Sequence, residues 1–316
     1  MSMLLSLLFL AIAIIESMAG LLGNGTILVA SSTSCIKSKI LSSYDAIMIF
    51  LSLSRFFLQS WMMLDLFLSL FCETSYYEEH LFVILKTVFM FLNYSSFWSA
   101  AWLSAFYCIK IASFTQSFFI WLKQRISCLV PWVLITSSLF SFATSLPFAW
   151  DVYDVHDNFS APSTMTNSSE RRVTMKASFF LLIILCNAGI ALPLIVFVVS
   201  SILLIRSLWI HTRQIQNSAT GFWNPSLEAH IGAIKSVLSF LIFYVTYFIS
   251  LVPILADVFL PLSIGEAMCI AVMAACPAGH SMVLIRSNPK FRELLARVLH
   301  HASCPVRTRS MEKTVG

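Results

Sequence analysis

The sequence predicts an all-α membrane protein, a seven-transmembrane-helix bundle with its amino terminus outside and its carboxy terminus cytoplasmic. Three observations carry that expectation. Of 316 residues, 58% are hydrophobic and only 11% charged, and the mean hydropathy is +0.84, outside the range of soluble domains. The apolar residues gather in seven runs, each able to cross the ~30 Å hydrocarbon layer of a bilayer. The basic residues follow the topology: of 20 Lys and Arg, only Lys86, Arg171, Arg172 and Lys176 fall at outer positions and Arg55 within the membrane, leaving the rest on the inner side, as the positive-inside rule requires.

The first run, 3–30, is too long for a signal-peptide core and has no basic stretch before it. Glu16 and Asn24 are its polar residues, with Gly20 and Gly23 permitting close helix approach. The second, 44–70, carries Arg55 at mid-depth, where a guanidinium must find carbonyls, a polar partner or water. Asn24 or a group on the seventh helix is the natural partner, which makes Arg55 structural or part of a switch. Asp65 lies nearer the outer end, either solvated or paired with a cationic ligand.

The third run, 81–112, would be about 48 Å long as one helix. Asn93 sits deep among Phe89, Phe91, Leu92, Phe97 and Trp98, where an unpaired amide is costly. It serves either an interhelical hydrogen bond or a ligand contact. Phe89, Asn93 and Phe97 share a face, and Lys110 marks the inner end. An inner loop with Lys123 and Arg125 precedes the fourth run, 126–150, in which Pro131 falls near the start and Pro147 near the end.

Asp151 to Lys176 reads as the one long polar outer segment and holds two glycosylation sequons, at Asn158 and Asn167. The sequons at Asn24 and Asn93 fall within helices and are not expected to be modified. The fifth run, 177–209, contains Asn187 and Pro193 and ends near Arg206, His211 and Arg213. The sixth, 230–259, starts at His230, includes Lys235, and places Phe243 and Tyr247 on one face. The seventh, 263–285, holds Met273 and is followed by a basic tail, 286–316, that begins as an amphipathic helix over 289–299. Tail Cys304 is a candidate for palmitoylation or a free thiol. The whole chain, 1–316, reads as a single receptor domain with that tail.

Composition and motifs argue against several function classes. The net charge of +5 is not gathered into a basic face with interleaved aromatics, so nucleic acid is not an expected partner. Eight cysteines lie scattered without a CxxC pair, so neither a disulfide framework nor a zinc site is indicated. No phosphate loop, nucleophile elbow or HExxH motif is present, and neither an enzymatic role nor a cofactor is expected. A small-molecule secondary transporter is the alternative from another class; it would call for inverted repeats and several midplane carboxylates, whereas no repeat is evident and Glu16 is the only acid deep in a span.

Six segments in order resemble the bitter taste receptors, the type 2 taste receptor family of G-protein-coupled receptors. They are Glu16…Gly20…Gly23-Asn24; Leu51-Ser52-Leu53-Ser54-Arg55; Asn93…Trp98…Leu103 with Phe106 to Ala112; Leu203-Leu204-Ile205…Ser207-Leu208…His211; His230…Ala233-Ile234-Lys235…Ser239-Phe240-Leu241; and Pro277-Ala278-Gly279-His280-Ser281…Leu284-Ile285…Asn288. The DRY-type and NPxxY motifs of rhodopsin-like receptors are absent, and Phe106 to Ala112 and His280-Ser281 stand in their places. A pheromone-type receptor shares the topology but not the sixth and seventh segments.

The resemblance implies a small-molecule pocket lined by the third, fifth, sixth and seventh helices, with a contribution from the second, and with Phe89, Asn93 and Tyr247 in it. Phe243, Met273 and Asp65 are added from depth and face. The family often has tryptophan at the position of Phe89; phenylalanine keeps the aromatic face and lacks the indole donor. Asn24, Arg55, His280 and Ser281 would form a structural or switching core. An inner face with Lys110, Lys123, His211, His230 and Lys235 would meet a gustducin-like heterotrimeric G protein at the plasma membrane, leading to phospholipase C and calcium release.

Overall fold

The computed structural model describes residues 2–72, 79–111, 117–160, 189–210, 213, 225–255, 258–260 and 263–312, with backbone alone for 2, 79, 80, 118, 148–160, 225–236, 255 and 301–312. Eight long helices account for nearly all of the described residues: α1 Ser2–Ser38, α2 Ser43–Phe71, α3 Glu79–Ile111, α4 Ser117–Ser160, α5 Gly189–Ile210, α6 Pro225–Leu255, α7 Ile264–Ser287 and α8 Pro289–Glu312. The first seven are long and apolar enough to cross a membrane.

Helix ends depart from the apolar runs for local reasons. α1 continues past Ala30 to Ser38, with Thr33 Oγ1 donating to the Val29 carbonyl at 2.7 Å within the helix. The chain reverses at Lys39, whose φ of 55° is left-handed. Ser42 then caps α2: its Oγ accepts from Asp45 N at 3.1 Å and donates to Asp45 Oδ2 at 2.8 Å.

α4 begins at Ser117 rather than 126, so Lys123 and Arg125 sit on its first turns instead of in a loop. It also continues to Ser160, so Asp151, Asp154, Asp157 and Asn158 extend the helix rather than opening the polar segment expected there. Pro131 consequently lies well inside α4, not near its start, and the helix passes through both Pro131 and Pro147. α6 starts at Pro225, ahead of His230, and stops at Leu255; proline suits a first helical position, where its missing N–H goes unused. The tail helix extends beyond Leu299 to Glu312. The part of the fifth run before Gly189, including Asn187, and the sequon at Asn167 lie outside the described residues.

The chain divides into two compact units, Met1–Phe56 with Ile210–Gly316, and Phe57–Trp209. In the first, α7 packs against both α1 and α6, and α8 touches α7 and α1. Small residues make this approach close: Ala267, Ala271, Ala274 and Ala278 of α7 are buried. A Cβ on Gly23 of α1 would overlap the Ser281 hydroxyl, and one on Gly279 of α7 would stand 2.7 Å from the Phe243 ring of α6. The α7–α8 joint is capped by Asn288, whose N–H reaches the Ile285 carbonyl at 3.3 Å and whose own carbonyl accepts from Phe291 N and Arg292 N at 3.1 Å. Phe291 is fully buried.

In the second unit α3 packs along α4. Trp98 meets Phe140 edge-on with centroids 5.8 Å apart, and Phe91 meets Phe142 in the same way at 6.1 Å. The Tyr94 ring lies flush on Gly189 of α5, where a Cβ would come within 2.9 Å. Deeper along the same pair of helices Ser104 Oγ sits 3.0 Å from Ser201 Oγ and 2.9 Å from Ser200 Oγ.

Candidate functional site

Two groups of residues stand out, one in each unit. In Phe57–Trp209 the helical repeat of 100° per residue puts Phe82, Lys86, Phe89, Asn93 and Phe97 on one face of α3. Burial deepens along it: Phe82, Lys86 and Phe89 are half-buried, whereas Asn93 and Phe97 are buried. Asn93 Nδ2 donates to the Phe89 carbonyl at 2.8 Å, so this amide hydrogen is used within α3 rather than across to another helix.

The first turns of this face hold a feature that the sequence reading missed. Lys86 Nζ lies 3.4 Å from Asp65 Oδ2 of α2 and 5.3 Å above the Phe82 ring. Asp65, read from sequence as solvated or open to a cationic ligand, is instead paired with a cation of the protein itself. One turn before Asp65, Trp61 Nε1 donates to the Leu85 carbonyl at 3.0 Å, which fixes the register that sets Asp65 beside Lys86. A sequence signal did exist, since Lys86 precedes Asn93 by two helical turns; its use as a topology marker hid its place on the face.

In Met1–Phe56 with Ile210–Gly316, the buried residue Arg55 of α2 hydrogen-bonds His280 of α7. This is the seventh-helix partner that its depth required. A guanidinium can only donate, so the imidazole nitrogen that faces it is placed to accept. The Phe240 ring of α6 meets the imidazole edge-on at an interplanar angle of 81°. Phe240, Tyr244, Tyr247 and Leu251 follow one another along the buried stripe of α6, which places Tyr247 two turns from the Phe240–His280 contact. Around this core Asn24 Nδ2 donates to the Gly20 carbonyl at 3.0 Å and Ser281 Oγ to the Ala278 carbonyl at 2.8 Å. Both side chains are buried.

The other candidates fall as follows. Met273 is buried in α7, and Phe243 is half-buried against Gly279, a packing position between α6 and α7. Lys110, exposed at the end of α3, lies 5.5 Å over the Phe106 ring, and Lys123 is exposed on α4. His211 lies outside the described residues; His230 and Lys235 are on α6, and Asn158 on α4, with only their backbone described.

Comparison with known proteins identifies the family. A family model described as Taste receptor protein (TAS2R) matches residues 1–303. Taste receptor type 2 member 40 of Gallus gallus is 68% identical over 309 residues, covering 98% of this chain and 99% of that protein. Taste receptor type 2 member 39 of Papio hamadryas is 39% identical across 93% of this chain and 86% of its own length, and the Homo sapiens protein of that name is 38% identical across 92% and 86%. These relatives are receptors, not enzymes. With the family model and the relatives agreeing over nearly the whole length, this multi-pass membrane chain belongs to the type 2 taste receptor family, the bitter taste receptors.

Proposed function

We propose that this bitter taste receptor binds small, moderately apolar compounds among its membrane helices and signals through a gustducin-like heterotrimeric G protein to phospholipase C and calcium release. The observation that carries the reading is the α3 face, half-buried and aromatic at Phe82 and Phe89 and fully buried at Asn93. Such a mostly apolar surface with few polar anchors suits varied small molecules. Tyr247 on α6 and, at less direct positions, Phe243 and Met273 contribute to recognition. In this reading, which the distribution of basic residues supports, the amino terminus lies outside, Lys110 and Lys123 at the α3 and α4 ends face the cytoplasm, and His211, His230 and Lys235 lie toward the G protein. Asn158 and Asn167 carry glycans on the outer side.

Activation is a population shift: an agonist that prefers one of two helix arrangements enriches it by its difference in affinity. Arg55 and His280, joined between α2 and α7, are the element poised to differ between the two. Intracellular calcium in cells expressing the chain with a gustducin-chimeric G protein, challenged with a panel of bitter compounds, tests the proposal. Agonist responses that Asn93→Ala or Tyr247→Ala weaken at unchanged surface level are expected; responses indifferent to both changes would contradict the assignment of the recognition residues.

A further inference from the structure

The pair formed by Lys86 and Asp65 is not the sole link between α2 and α3, since the Trp61 to Leu85 hydrogen bond also joins them at 3.0 Å. It is also a loose pair: the separation is 3.4 Å, and the two side chains are 34% and 29% exposed. An ion pair in such a setting contributes little to stability, and a stronger anion can compete for the ammonium. Lys86 also occupies the recognition face itself. One turn of α3 separates it from Phe89 and two from Asn93, with the Phe82 ring 5.3 Å beneath its charge. Asp65 belongs to α2 and approaches from the side.

We propose that Lys86 is a specificity residue for acidic agonists, receiving a carboxylate, sulfonate or phenolate group while the apolar body of the compound lies along Phe89 toward Asn93. Asp65 is the internal counter-ion that holds the ammonium in place when no such anion is present. Charge attraction is strengthened where apolar groups exclude water, and a charge-assisted hydrogen bond is about twice as strong as a neutral one. The side on which the cation stands decides the preference: Lys86 faces along α3 with Phe89, so an acid is favoured over an amine of the same skeleton. The inference rests on the reading of α3 as the recognition element.

The test uses the full chain in cells, with calcium as the readout, surface staining, and a panel of aromatic carboxylic acids, their methyl esters and the corresponding amines. For skeletons active in both forms, Lys86→Met should lower the acid-to-ester potency ratio by about tenfold, the size of one charge-assisted hydrogen bond. Lys86→Arg should preserve the ratio. The double change Lys86→Asp with Asp65→Lys restores an ion pair between the helices but removes the cation from α3, so surface expression should be normal and the acid preference still lost. A pair that served only to hold the helices would be rescued in every respect by that exchange, and such a result would overturn the proposal. Equal losses for acids and esters in Lys86→Met, or a wild-type receptor answering esters and amines but no acid, would overturn it as well while leaving the recognition reading intact. Silence toward all three classes from a receptor at the surface would overturn that reading and this contact with it.

Discussion

Arg55 is a permanent charge buried within an apolar span, and His280 is what meets it. Removing His280 leaves the buried guanidinium without this partner, a loss of about 3 kcal/mol or more. His280→Ala should therefore lower the thermal stability and the surface level of the receptor together, as read by thermal denaturation of purified protein and by surface staining. Ser104→Ala, which removes the hydroxyl shared with Ser200 and Ser201, should cost only ~1 kcal/mol, because interhelical hydrogen bonds in membranes contribute modestly. At this scale the sequence was partly legible. The depth of Arg55 demanded a partner, and the seventh helix was one of two places to look. Asn93 was visible as a buried amide, but its bond to Phe89 depends on a rotamer that sequence does not specify. The pairing of Asp65 with Lys86 depends on the register between α2 and α3, which Trp61 fixes through a backbone carbonyl 24 positions away.

Helices α6 and α7 meet where the Phe243 ring lies on the backbone of Gly279. Adding a methyl there forces the ring or the helix to move, and overpacking of this kind costs about 1–3 kcal/mol. Gly279→Ala should thus reduce thermal stability, and Gly279→Ala with Phe243→Leu should recover part of the loss by shortening the opposing side chain. At the other end of α7, Phe291 anchors the first turn of α8. Phe291→Ala should release it at a cost of about 3–5 kcal/mol, seen as faster amide exchange over residues 289–299. The existence of each spanning helix was legible because lipid leaves a segment no alternative for its backbone hydrogen bonds. The ends were not, because outside the lipid that constraint lapses. Lys123 and Arg125 are good helix formers and join the apolar stretch Phe118 to Leu122 to the run from 126, so α4 starts at Ser117, and at its other end the aspartates past Trp150 continue the helix to Ser160.

For the molecule as a whole, the distribution of Lys and Arg sets an expected orientation with Asn158 and Asn167 outside. Glycosidase treatment should increase gel mobility, and the shift should vanish in the double variant Asn158→Gln with Asn167→Gln, whereas Asn24→Gln and Asn93→Gln, within α1 and α3, should leave it unchanged. The family motifs were the most legible feature at this scale, because six of them recur in order along the chain. Agonist identity was not, since none of the motifs specifies a ligand. The central proposal is that small compounds bound among the membrane helices drive a G protein. Nucleotide exchange on a purified gustducin-type heterotrimer, catalysed by purified receptor in lipid nanodiscs, tests it most directly. Exchange that accelerates with an agonist found in cells, and that Asn93→Ala or Tyr247→Ala slows, is the predicted result; exchange indifferent to agonist in a folded wild-type receptor would contradict the account.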